Sequence, residues 1–277
     1  MNSPLIFLRR CHSALLAALL PLTLAPAPAA APAAADSHDS PESHDSHGSQ
    51  LPAAQSPHRQ LPKAMHGLMT TRARITVGVR DADIVGTDQR ALQAAVDYVA
   101  SLGGGTVEIG AGEFLLRDSL HLRPNVTVRG QGARTILRKA PAAASPLAID
   151  GDYGEEQITL KNPAGFAVGD GVAIWDKSSG GFHTTVARII GRNDNTFAIS
   201  LPLNADCMVS GQAQAATVFP IISGYHVEGV RVESLAIDGD KSANVHLNGC
   251  RGGGVFLYRC PGALLTNCLV QIGRAHV

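Results

Sequence analysis

The sequence predicts an all-β fold built from many short strands. Glycine supplies 29 of the 277 residues while aromatics make up 4%, a mixture suited to frequent turns and small inward-facing side chains rather than to a helical bundle. From Gly105 onward, "GTVEIG", "EFLLR", "SLHL", "NVTVRG" and "TILRK" succeed one another with Gly, Pro, Asn or Asp between them. Before these strands lies a single stretch with helical periodicity.

In chain order, the first segment is an address. Arg9 and Arg10 precede the apolar run from Ala14 to Leu24, and "APAPAAAPAAAD" offers small-residue cleavage sites ending before Asp36. The run is too short to span a bilayer comfortably. Residues 1–35 are therefore expected to be a signal peptide, with no stable membrane insertion after its cleavage. The protein is expected to be secreted, periplasmic or at the cell surface. Twin-arginine export through Arg9 and Arg10 is a minor alternative, as is lipid modification at Cys11.

Residues 36–67 form a linker rich in His, Ser, Asp and Pro with almost no large apolar side chains, so burial cannot offset its ordering entropy. "SHDS" occurs twice and places His38, His44 and His47 close together. Capture of a transition metal is one reading and a solvated spacer is the other; ligands on a flexible chain bind weakly.

Order is expected from residue 68 to 270. In "TDQRALQAAVDYVASLGGG", Leu92, Ala95, Val96, Val99 and Leu102 recur at helical spacing, with Thr87 or Asp88 available as cap and Gly103 with Gly104 as stop. In "NVTVRG", Val126 and Val128 alternate with Thr127 and Arg129, the period that separates the two faces of a strand.

The stretch from Asp81 to Leu137 resembles the amino-terminal segment of the pectin-lyase-like proteins of the pectate lyase superfamily. An Asp before "ALQAAVD", a glycine run before a strand, "GEF" and "NVTVRGQG" carry the resemblance. It implies a right-handed parallel β-helix, a solenoid whose first coil is covered by an amino-terminal α-helical cap. The cap makes physical sense, because a first coil otherwise exposes unpaired backbone and apolar interior.

Between about residues 157 and 218 the coil rhythm is interrupted by "ITLKNPAGFAVGDGVAIWD", "VARIIGR" and "TFAISLPL", read as a β-rich excursion. Trp175 within it is a candidate for stacking on a sugar or for packing. Coil-like sequence returns at "GVRVESLAIDG", over which "GALLTNCLV" can be laid with Gly229 on Gly262, Val232 on Leu265, Leu235 on Cys268 and Ile237 on Val270. Cys207, Cys250, Cys260 and Cys268 allow three full pairings, Cys250 with Cys260 being one possible bridge, or buried thiols.

After Val270 the pattern stops, and "IGRAHV" can be encoded by ATC GGA AGA GCA CAC GTC, which is part of a common sequencing-adapter oligonucleotide. Residues 271–277 are thus expected to be a non-native tail on a fragment of a longer protein.

Charge is balanced, with 23 Lys plus Arg against 23 Asp plus Glu, which speaks against nucleic acid as a partner. The resemblance implies a polysaccharide partner, acted on by a lyase through β-elimination on uronates or by a glycoside hydrolase. A non-catalytic surface or adhesion module binding carbohydrate is the alternative, and oligomeric state is left open. The best local candidate for chemistry is "IDGDKSANVHLNGCRGG". Asp238 and Asp240 are its candidate catalytic carboxylates, and Lys241 and Arg251 its candidate substrate-binding cations. The two carboxylates can instead hold Ca2+ beside a uronate, although no cofactor is required, or Asp238 and Gly239 can simply turn a coil corner.

Overall fold

A computed structural model describes residues 70–247 and 250–271; the expected signal peptide, the linker with His38, His44 and His47, and residues 272–277 lie outside them. The described chain is mostly β. Strands β1 (Ala73–Gly78) and β2 (Ile84–Val85) lead to helix α1 (Gln89–Ser101), which is followed by β3 (Gly105–Ile109), β4 (Gly112–Leu116), β5 (Leu120–His121) and β6 (Val126–Lys139). Next come β7 (Ala144–Pro146), β8 (Gln157–Thr159), β9 (Gly171–Trp175), β10 (Thr185–Asn193), β11 (Thr196–Ile199) and β12 (Gln214–Ala216). The last are β13 (Ile222–Tyr225), β14 (Arg231–Asp238), β15 (Val255–Tyr258), β16 (Leu264–Thr266) and β17 (Leu269–Gln271).

Helix α1 starts where an acceptor is available. Asp88 is extended, and its carboxylate accepts the backbone N–H groups of Arg90 and Ala91, two of the donors that a helix start leaves unpaired. Leu92, Ala95, Val96 and Val99 are fully buried against the sheet. The helix ends at the glycines, where Gly103 N–H reaches Ala100 O and Gly104 N–H reaches Val99 O.

The sheets are of two kinds. A large sheet runs β16–β14–β6–β3–β1–β2, with β17 also on β14 and β4 also on β6, and a small one runs β15–β13–β5; every pairing in both is parallel. The chain alternates between them, passing from β5 to β6, from β13 to β14 and from β15 to β16. Val107, Val128 and Val232 from one sheet and Leu120 and Ile222 from the other fill one core, closed by α1. Corners recur in register: Gly104, Asn125, Gly229 and Gly262 occupy equivalent levels of successive strands, with φ of 102, 59, 63 and 70°. Glycine and asparagine are the residues that tolerate this left-handed backbone.

Between β6 and β13 the chain builds an antiparallel sheet, β7–β12–β9–β10–β11–β8, with its own core that includes Leu160, Val172, Ile174, Ile189 and Phe197. This differs from a purely parallel solenoid, and the antiparallel part opens at Ala144, earlier than the expected boundary at 157. The short run Ala144–Pro146 has no strand alternation to reveal it, and Pro146 fits because β7 is an edge strand. Trp175 packs beside Ala173, Ala216, Val218 and Leu247.

The two stretches laid over one another by sequence are cross-strand neighbours, with Val232 opposite Leu265 and Ile237 opposite Val270. The ladder continues one residue past Val270, since Gln271 pairs with Asp238. Leu264, Leu265, Leu269 and Val270 are exposed along this edge. Cys207, Cys260 and Cys268 are free thiols, so the bridge between Cys250 and Cys260 is not formed.

Candidate functional site

The residues singled out by sequence fall in two places. Asp238 ends β14 and accepts from Arg138 Nε at 3.0 Å on Oδ2 and from Asp240 N–H at 2.9 Å on Oδ1. Arg138 also pairs with Glu113, so Asp238 belongs to a charge row across the outer face of the large sheet. Asp240 has φ 39°, and its carboxylate accepts from the Ser242 hydroxyl. Lys241 follows in a short 3-10 turn and is exposed. The Asp238–Gly239–Asp240 segment thus makes a hydrogen-bonded corner. Among the described residues no group of three or more His, Cys, Asp or Glu is arranged to hold a metal ion.

Arg251 stands on the other sheet, in the 3-10 turn before β15. Its Nη1 donates to the Tyr225 hydroxyl at 3.1 Å and its Nη2 to Phe182 O at 3.2 Å, while the guanidinium lies 5.1 Å from the Phe256 ring centre. The rings of Tyr225 and Phe256 are 5.3 Å apart, and Arg259 lies over Tyr258 at 5.3 Å. Tyr225 and Tyr258 are cross-strand partners on the exposed side of β13 and β15, and Phe182 is 72% exposed beside them. Although aromatics are scarce in the chain, this face gathers four of them with arginines between.

One step along the same face, His121, Ser223 and Phe256 form the neighbouring row across β5, β13 and β15. His121 Nε2 is 3.0 Å from Asp118 Oδ2, and Ser223 Oγ is 2.9 Å from His121 Nδ1. A carboxylate only accepts, so the proton of a neutral ring sits on Nε2 and Nδ1 accepts from the Ser223 hydroxyl. Asp118 is 3% exposed, and its Oδ2 also takes Arg188 Nε at 2.5 Å. The main chain of His121 is held by Gln93 of α1, whose amide accepts from His121 N–H and donates to His121 O. A cavity of about 260 Å3 opens over this row, with Arg123, Arg188 and Tyr225 in its wall. It shares Asp118, Ser119 and Arg188 with a cleft of about 700 Å3 that extends to the start of α1.

Lys139 holds the turn that carries Arg251. It is 2% exposed, its Nζ donates to Gly252 O at 2.9 Å, and it lies over Phe219. Burial pushes its pKa down from 10.5 to about 8. Between those values the unfolded chain binds more protons than the folded one, so stability rises with pH through that window; below it the buried ammonium costs about 3 kcal/mol. Lys139→Met removes the titration. In urea denaturation, the stability of the natural chain relative to K139M is expected to rise by about that amount from pH 7 to pH 11.

No protein-family profile and no curated protein matches this chain. Among solved structures it is similar over part of its length to three bacteriophage tailspikes. The Pseudomonas phage phi297 tailspike gp61 aligns with a TM-score of 0.28 at 13% identity, over 61% of this chain and 33% of that one. The gp54 tailspike of Acinetobacter baumannii bacteriophage AP22, solved in complex with A. baumannii capsular saccharide, gives 0.27 and 13%, over 63% and 33%. The Pseudomonas phage LKA1 tailspike gp49 gives 0.26 and 18%, over 64% and 39%. The chain spans between a third and two fifths of those proteins. TM-scores this low assign neither a family nor an activity.

Sequence reasoning placed Arg251 among the site residues but missed Asp118, His121, Arg188, Ser223 and the aromatic row. "RDSLHL" holds Asp118 and His121 three residues apart, a weak signal, and Ser223 is more than a hundred residues further on. Only the parallel pairing of β5 with β13 brings them together.

Proposed function

We propose that this chain is an exported right-handed parallel β-helix protein that acts on a polysaccharide and binds it on the outer face of β5, β13 and β15. The observation supporting this reading is the concentration of Phe182, Tyr225 and Tyr258 with Arg251 and Arg259 on one surface, over the buried Phe256. A pyranose presents an apolar C–H face and a hydroxyl rim, so it is matched by aromatic rings that alternate with hydrogen-bonding cations. The leader-like residues 1–35 support a place outside the cytoplasm, and the alternation of the chain between two parallel sheets supports the β-helix.

Lyase and hydrolase chemistry both fit a polysaccharide substrate, and they differ in product; the candidate carboxylates stand at the corner after β14, apart from the aromatic face. β-Elimination leaves unsaturated ends and hydrolysis leaves reducing ends. In the hydrolase reading Asp238 and Asp240 are the acid and base, and Lys241 is a further contact for the chain. Asp240 carries more of that burden, because both oxygens of Asp238 already accept hydrogen bonds. Asp240→Asn is then expected to abolish release of reducing ends while leaving binding intact.

The binding reading is tested by affinity electrophoresis against a panel of acidic and neutral polysaccharides. Tyr225→Ala and Arg251→Ala are each expected to weaken retention about tenfold with the unfolding temperature little changed. Retention equal to that of the natural chain in both variants would remove the platform as the binding face. Binding without unsaturated or reducing ends from any polysaccharide would favour the carbohydrate-binding module over the enzyme.

A further inference from the structure

We infer that Ser223, His121 and Asp118 form an esterolytic triad that removes small acyl groups from the saccharide held on the adjacent aromatic face; the choice of an acylated saccharide as substrate rests on the binding reading above, whereas the triad stands on its own geometry. The three groups are linked in the order that nucleophilic acyl transfer requires. The Ser223 hydroxyl meets one imidazole nitrogen at 2.9 Å and the Asp118 carboxylate meets the other at 3.0 Å. The nitrogens are used with Nδ1 toward the serine, which serves equally well because the ring passes a proton in at one nitrogen while the carboxylate steadies the other.

The surroundings distinguish this chain of contacts from a merely structural bridge. Asp118 is buried and doubly held, so the imidazole orientation is set by the fold rather than by solvent. The His121 side chain is 30% exposed and lines the cavity of about 260 Å3 together with Ser223. Arg188 and Arg123 line the same cavity, Arg188 paired with Asp118 and Arg123 with Asp97. Ser223 itself is 2% exposed, which limits access to a compact group such as acetyl. Tyr225 lies two residues along the strand on the same face, so a sugar stacked there carries its ester toward Ser223.

The reaction balances without any cofactor. Ser223 Oγ bonds to the acyl carbon as its proton passes to His121 Nδ1. Collapse of the tetrahedral intermediate breaks the bond from the acyl carbon to the sugar oxygen, which takes the proton from the imidazolium and leaves as a free hydroxyl. Water then attacks the acyl-serine and gives a proton to His121. The carboxylic acid departs, and the proton returns to Ser223 Oγ.

The test uses the full chain and a fluorophosphonate probe, which forms a covalent bond only with an activated serine. Mass spectrometry is expected to find the probe on Ser223, and hydrolysis of para-nitrophenyl acetate and release of acetate from acetylated xylan are expected to fall at least a hundredfold in Ser223→Ala. His121→Asn is expected to abolish labelling. Failure of the natural chain to label at Ser223 overturns the triad, and because this needs no variant it does not depend on how substitutions fold. Labelling at Ser223 in a chain that retains no polysaccharide supports the triad and removes the platform. Polysaccharide retention without labelling does the reverse.

Discussion

Replacing Val96 with Asp is expected to destabilise the fold by about 5 kcal/mol. Val96 is fully buried on α1, in the same core cluster as Val77, Val107 and Val126. The substitution removes a Val side chain whose burial contributes about 2 kcal/mol and leaves a carboxylate that must be desolvated without a partner. Much of the cost should take the form of a raised carboxyl pKa, so the deficit relative to Val96→Asn should shrink as pH falls through that value toward the ordinary carboxylate range. Chemical denaturation of the three proteins at pH 7 and pH 5 checks both claims. A Val96→Asp chain as stable as the natural one would show that α1 does not close the core.

Gly104→Ala is expected to cost about 4 kcal/mol, combining left-handed backbone strain with overpacking. Gly104 has φ 102°, and a Cβ built there lies 2.4 Å from Asn125 O and 2.6 Å from Asn125 Cβ. The obstructing atoms include backbone of the next corner in the stack, which cannot move aside as a side chain tip would. Gly103→Ala is the internal control: its φ is also positive, but nothing lies within 4 Å of the added Cβ. It should show the conformational strain of roughly 1–2 kcal/mol without the clash. Thermal unfolding of the two variants side by side separates the terms, and equal losses would refute the close approach.

These two substitutions also mark how far local sequence carries structural information. The helix was visible in the spacing of Leu92, Ala95, Val96 and Val99 and in the Asp88 cap, because periodicity and capping are short-range properties of the chain. Val126 and Val128 declared an inward face for the same reason. The overlay of "GVRVESLAIDG" with "GALLTNCLV" went further: Val232 faces Leu265 and Ile237 faces Val270, since stacked repeats must present equivalent residues at equivalent levels. The antiparallel pairing of β7 to β12 was not visible, because strand direction depends on which distant strand supplies the backbone partners. Alternation within a strand is the same in either case.

The candidate site divides along the same line. Arg251 stood out as a cation in a loop beside a glycine run, yet its surroundings of Tyr225, Phe182 and Phe256 come from segments up to 69 residues away in the chain, Phe256 being near at hand. Asp238 and Asp240 were conspicuous as neighbours in sequence, and they proved to be joined to each other by a corner hydrogen bond. Asp118, His121 and Ser223 show the opposite case. Ordinary polar residues when read singly, they form one hydrogen-bonded chain only after β5 and β13 pair in parallel and Arg188 of the antiparallel sheet closes on Asp118. Composition and short-range pattern thus determined that this would be a turn-rich β protein with one capping helix, because secondary structure answers to neighbours within a few residues. Which polar groups meet was decided by the tertiary structure, because hydrogen bonds act over about 3 Å and strands distant in sequence reach that range only when the sheets assemble.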